Sequence, residues 1–442
     1  MFRNNRTKAH PMNHLKRFFI FLFIISTSFN CKIPALNNPA DPLSDDYGKN
    51  AALSQLIAYW LSEKIAPDGL VVAVTKSTLP YEAGIRIYRV DSDLGLTSEF
   101  DSDVRAATTL AFPGCSPIRV AVPPSSRDII TITGAGSNRI ALHRYGIDRS
   151  LVLLQDQNGF GNPTFIKFTS DGLRAYSNNT ATDPNVILQL ARNKESGILS
   201  INNGGSFPFS VGCSPVSLNV SNKDNIVFTA STSTLPLGIF SFKKTGDYSG
   251  VFASGSPYDP ADNPTQHNNL CVVENERLLY MTSANVTTPI YGFRYDENGN
   301  LGLLPNSPFS PDPSVSGTGA VDNNSTSLAV NPEGKYLAYL YQAGGTFYIR
   351  ILSIDPSSGN LTPTDQKFSV GNGPKHLEWD GSGRFLYLAS DTGGTTNNFQ
   401  LEYFSFSKDG VMTRGVNSPI TVGAMTGGFS PRHIKAIQRY YQ

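Results

Sequence analysis

An all-β, seven-bladed propeller is the fold that this sequence predicts, and three observations carry it. A strand unit recurs with seven anchors at a spacing of roughly 46 to 57 residues, the period of four-stranded propeller blades. Two kinds of turn recur with that same period inside the unit. The composition also suits sheets: 39 Gly, 29 Pro, 11% aromatic and only 16% charged residues, without the Ala, Glu, Lys and Leu blocks of long helices.

At 442 residues the chain exceeds the usual single domain, yet one large all-β domain accommodates it. The net charge is +1, so the molecule as a whole exerts no pull on nucleic acid, a membrane surface or acidic substrates. Recognition of a charged ligand therefore needs a local cluster.

The first 30 residues read as a signal peptide. A basic "NHLKR" precedes "FFIFLFIISTSF", which is too short for the roughly 20 apolar residues that span a bilayer. Met12, directly before the basic segment, is an alternative start. Cys31 in "STSFNC" resembles the lipidated cysteine of a bacterial lipobox, of the relaxed kind familiar from spirochaetes. Plain secretion and an uncleaved anchor are the alternatives. On the lipobox reading the protein sits in the bacterial cell envelope, the outer membrane favoured, facing the periplasm or the outside, and touches the membrane through its lipid alone.

Residues 31–66 form the tether and a helix. Lys32 to Asp46 is rich in Pro, Asn, Asp and Ser, the composition of a linker. Leu53, Leu56, Ile57, Trp60 and Leu61 then fall at helical spacing, predicting one short amphipathic helix before Pro67. Its polar face is not basic, so it is expected to dock on the domain.

The propeller is expected over 67–442. Its units open as "GCSPIRVAV", "GNPTFIKF", "GCSPVSLNV", "HNNLCVV", "NNSTSLAV", "GNGPKHLEW" and "GFSPRHIKAI". The turn before the second strand recurs as "SDGLRAY", "NKDNIVF", "PEGKYLAY" and "GSGRFLYL", and that before the fourth as "KESGILS", "ENGNLGLL", "SSGNLTP" and "KDGVMTR". Tight hairpins force positive φ and so select Gly, Asn and Asp. "DGLVVAVTK" at Asp68 aligns with second strands, which leaves the first unit without an inner strand. The terminal "SPRHIKAI" supplies it, so the ring is predicted to close by pairing the two ends of the chain. Cys115 and Cys213 stand in identical "GCSP" contexts, hence at equivalent points of separate units and out of disulfide reach.

Two residues past their anchors stand Arg119 in "PIR", His376 in "PKH" and His433 in "PRH", on three consecutive blades. With Lys375, Arg432 and Asp391 they are predicted to gather at the mouth of the central channel. Imidazoles among cations suit a small carboxylated or phosphorylated ligand, with no metal or other cofactor. They also suit lactone opening, in which Arg holds the developing oxyanion and His activates water. Strand-end residues that simply hydrogen-bond loop carbonyls around a solvated channel have the same pattern. Nucleophile elbows, His-Glu-x-x-His and paired Cys-x-x-Cys are absent from the sequence, and its Asp-Gly turns lack the clustered acids of calcium loops.

At these residues the sequence resembles the seven-bladed lactonase family, which includes 6-phosphogluconolactonases and fungal muconate cycloisomerases. "GNGPKHLEWDGSGRFLYLASD" is similar to the family's Gly-Pro-Arg-His segment with its later Asn-Glu-Leu. The resemblance implies catalytic roles for Lys375, His376 and Asp391 in place of Arg, His and Glu. Lys keeps the charge of Arg without its bidentate fork. The family's His-x-His and Asp-Leu-Gly signature has no counterpart in "SPIRVAV" and "TGAGSNR". The leading expectation is accordingly a monomeric binding or protein-interaction module for an anionic ligand or an envelope or host macromolecule, and the alternative is a lactone hydrolase.

Overall fold

The computed structural model describes residues 69–437 apart from connecting segments between strands, among them 101–108, 111–117, 209–214, 321–327 and 392–398. The leader, Cys31, the tether, the helix expected before Pro67 and the two "GCSP" cysteines lie outside the described residues.

Every described element is a strand, and the strands form seven antiparallel sheets. We number these blades around the ring by their inner strands. They are Phe429–Ile437 for the first, Ile118–Ala121 for the second, Ile166–Phe168 for the third and Pro215–Ser221 for the fourth. His267–Val273, Leu328–Val330 and Pro374–Trp379 serve the fifth, sixth and seventh. Consecutive inner strands touch all the way round, and the first touches both the second and the seventh.

The closure expected from the sequence is present. The terminal strand Phe429–Ile437 pairs antiparallel with Gly69–Lys76, with Leu70 opposite Ala436 and Val72 opposite Ile434. The N-terminal strands and the C-terminal strand thus complete one blade, and neither is left as a free edge at the seam.

The core has a form set by this geometry. Each blade is covered on both faces, so its middle strands are apolar at consecutive positions, and alternate side chains serve opposite neighbours. Leu337 and Tyr339 pack toward the fifth blade, whereas Ala338 and Leu340 pack toward the seventh. Seven hydrophobic clusters fill the seven interfaces between blades. Polar ties reinforce them: Arg192 pairs with the buried Asp128 from the third blade to the second, and Arg277 with Asp224 at 2.9 Å from the fifth to the fourth.

Both turn columns behave as the sequence predicts. Gly197, Gly299, Gly359 and Gly410 before the fourth strands have φ of 80°, 86°, 78° and 82°. Gly172, Gly334 and Gly383 before the second strands have φ of 65°, 73° and 68°.

Candidate functional site

The inner strands enclose a cavity of about 470 Å³. Side chains at alternate positions of each strand line it in two tiers, which two residues of strand separate by about 6.6 Å. The tier nearer the anchors holds Arg119, Phe165, Ser217, Asn269, His376 and His433, and the deeper one holds Ala121, Lys167, Asn219, Cys271, Ala329, Glu378 and Lys435. The charges are not spread evenly. They occupy the seventh, first, second and third blades, while the fourth, fifth and sixth present small, amide or thiol side chains.

β-bulges set up the upper tier. The register slips by one residue between Pro374 and His376 in the seventh blade, at Pro215 and Ser217 in the fourth, and opposite Ala73 and Val74 in the first. The residue after the proline is therefore extruded, and the next one faces a partner on the second strand. Lys375 is such an extruded residue and is not among the cavity-lining side chains. Arg432 holds the same place in the first blade, and its side chain lies outside the described ones.

His376 and His433 are buried, at 2% and 8% exposure, with ring centroids 3.8 Å apart. Burial holds both well below the usual imidazole value. The charges of Lys435, Arg119 and Lys167 add to this at His376, and at His433 those of His376, Arg119, Lys435 and Lys167. Both rings are neutral at pH 7, and neither Nδ1 has a hydrogen-bond partner among the described residues. Arg119 lays its guanidinium 4.2 Å from the centre of the Phe165 ring. Burial lowers it to about 10, so it stays charged at neutral pH.

Below them the strands carry a second set of charges. Lys435 Nζ donates to both oxygens of Glu378 at 2.6 Å and 2.6 Å, joining the first blade to the seventh. Lys167 is lowered to about 8, first by burial and then by the charge of Lys435. Three cations thus face one carboxylate in the bore. Asp380 also borders it, and the charge of Glu274 reaches Lys167, but both acids are turned to their own loops or neighbours. Asp380 accepts from the N–H of Phe385 and Ser382, and Glu274 accepts from Asn222.

Of the residues singled out in the sequence, the structure brings Arg119, His376 and His433 together. Asp391 ends the second strand of the seventh blade, where its N–H donates to the Gly373 carbonyl at 2.8 Å, and it does not line the cavity. Lys167, Glu378 and Lys435 escaped the sequence reading. Their signal was the two-residue alternation in "TFIKF", "PKHLEW" and "PRHIKAI", each lying two residues beyond an upper-tier position.

The family described as lactonase, 7-bladed beta-propeller matches residues 313–413, a stretch that contains Lys375, His376, Glu378 and Asp391. No curated protein matches the chain in sequence. Among solved structures it is similar to the periplasmic gluconolactonase of Pseudomonas aeruginosa, at 18% identity and a TM-score of 0.62, over 84% of this chain and 98% of that one. It is also similar to a candidate 6-phosphogluconolactonase of Bacteroides fragilis, at 16% identity and a TM-score of 0.56, over 83% and 98%. At such identities the likeness is one of fold.

Proposed function

We propose that this propeller binds a small anionic ligand at the mouth of its central channel, beside Arg119, and serves as a ligand-binding or protein-interaction module of the bacterial cell envelope, anchored by lipid at Cys31. The observation that carries the reading is the excess of Arg119, Lys167 and Lys435 over Glu378 inside a cavity of about 470 Å³. A cavity of that size takes a small molecule and not a nucleic acid strand. Excess positive charge with little water around it is stabilised by an incoming anion. A ring closed within one chain supports reading the module as a monomer.

Lactone hydrolysis is the second reading, and the neutral histidine pair favours it. An unprotonated imidazole beside Arg119 is the state a general base requires. His376 would take a proton from water as its oxygen attacks the lactone carbonyl, and Arg119 would stabilise the oxyanion. The ring C–O bond then breaks, and the leaving alkoxide recovers the proton from His376 to give a hydroxy acid. The gluconolactonase named for the Pseudomonas structure carries out a reaction of this class on a similar fold.

One experiment separates the two. The mature full-length chain is titrated calorimetrically with gluconate and with inorganic phosphate, and is assayed on a panel of sugar lactones beside Arg119→Met and His376→Ala. The binding reading expects heat of binding that falls at least tenfold in affinity in Arg119→Met, with no turnover. Turnover that disappears in His376→Ala would replace it with the hydrolase reading.

A further inference from the structure

The lower tier has a feature that a single anion at the mouth leaves unused. Around the ring the order of the first three blades places Lys435, Ala121 and Lys167 side by side at one level of the bore. Ala121 contributes only a methyl group, so a niche lies between the two ammonium groups. Lys435 is already matched by Glu378. The Lys167 ammonium makes no hydrogen bond or ion pair among the described residues, although the charges of Lys435, Glu378 and Glu274 are all near enough to act on it.

The upper tier stands over this niche in register. Arg119 belongs to the second blade but lays its guanidinium across Phe165 of the third, and Phe165 is two residues before Lys167 on the same inner edge. The two cationic heads are therefore stacked along the channel and not spread around it. Beside them on the fourth blade, Ser217 and Asn219 spend their side chains on the next strand round the ring: Ser217 Oγ accepts from Leu270 N at 3.1 Å, and Asn219 Nδ2 donates to Leu270 O at 3.2 Å. These two fourth-blade side chains line the cavity without adding charge to it.

Resting on the proposed anion site at the mouth, we infer that Lys167, Lys435 and Ala121 form a second anion subsite, and that the channel takes an elongated dianion lying lengthwise, one anionic end at each tier. The tier spacing of about 6.6 Å sets the length. A linear dicarboxylate with five C–C bonds in extended form covers it, whereas a four-carbon one falls short of the deeper lysine.

The test uses the mature full-length protein and calorimetric titration with linear dicarboxylates of four to seven carbons, beside monocarboxylates of the same lengths. Adipate is expected to bind at least tenfold more tightly than hexanoate, with succinate showing no such advantage over butyrate. Lys167→Met should remove the adipate advantage over hexanoate, and Lys167→Arg should retain it. Ala121→Asp, which fills the niche with a carboxylate of the chain's own, should remove it as well and serves if Lys167→Met does not fold. Equal affinity for adipate and hexanoate in the wild type, with hexanoate still sensitive to Arg119→Met, overturns the second subsite and leaves the mouth site standing. Failure of both acids to bind overturns the mouth site too.

Discussion

At the scale of single residues, the pair His376 and His433 ties the channel to pH. Both imidazoles are held well below the ordinary value, by burial first and by the surrounding charges of Lys435, Arg119 and Lys167 after it; on that wall Glu378 is engaged by Lys435 and Asp380 by the N–H groups of its own loop. The unfolded chain takes up protons near pH 6.5 that the folded channel refuses, so the stability associated with the neutral rings is present above that pH and lost as pH falls below it. Each unit by which a ring is depressed is worth about 1.4 kcal/mol once the pH is far below both values. The thermal midpoint of the wild type should therefore drop steeply between pH 7 and 5, and that of His376→Gln/His433→Gln should drop less. His143, lowered to about 4 by its own burial, contributes the same slope to both proteins and cancels in the comparison. Parallel pH curves would mean that the rings are not held neutral. Sequence reading found both histidines through their shared place after a proline. It did not find Lys167, because a lysine in a strand of apolar residues looks like any solvent-facing position until the ring turns that face inward.

Strands and turns were the most legible part of the molecule, because their chemistry is local. A hairpin that needs positive φ excludes most side chains wherever it occurs, so Gly359 and its equivalents mark blades without reference to anything distant. Two glycines separate the two reasons for their presence. Gly344 has φ of 56° with open space around a would-be Cβ, whereas Gly359 has φ of 78° with Leu278 Cδ2 and Leu304 Cδ1 at 2.7 Å and 2.8 Å from it. Gly344→Ala should cost about 1 kcal/mol, the penalty of the left-handed conformation alone. Gly359→Ala should cost about 1 to 3 kcal/mol more, since the leucines belong to the interface of the fifth and sixth blades and must move. Chemical denaturation of both variants checks the difference, and equal losses would show that the interface yields freely. What the sequence hid at this scale were the bulges: a one-residue slip between Pro374 and His376 leaves the Pro-x-His spelling unchanged, yet it decides that Lys375 is extruded and His376 faces inward. A third column repeats in the blades, the Ser-Pro pairs Ser256-Pro257, Ser307-Pro308 and Ser418-Pro419, which all adopt the cis form after the fourth strand.

For the whole molecule, closure decides both stability and site. The terminal strand gives Ile434 to the interface of the seventh and first blades and Ile437 to that of the first and second, each fully buried. Burying two isoleucines is worth about 3 to 6 kcal/mol, a large part of a typical 5 to 15 kcal/mol of folding stability, before the strand's pairing with Gly69–Lys76 is counted. The same strand brings His433 beside His376 and Lys435 against Glu378, so half of the charged wall exists only in the closed ring. This order was readable from the sequence once "DGLVVAVTK" was aligned with second strands, since a ring with one inner strand missing at the start and one surplus at the end has a single solution. A chain cut from Ser430 onward should lose the cooperative thermal transition and stain with dyes that bind exposed apolar surface, because the Gly69–Lys76 edge and two interfaces are opened together. A synthetic peptide covering residues 429–442, added in excess during refolding, should restore the transition by occupying the vacant inner position, and should restore anion binding with it. A truncated chain that keeps the full transition unaided would refute closure as the source of stability. Restoration by a peptide in which Ile434 and Ile437 are replaced by Ser would show instead that backbone pairing suffices and that the two interfaces contribute little.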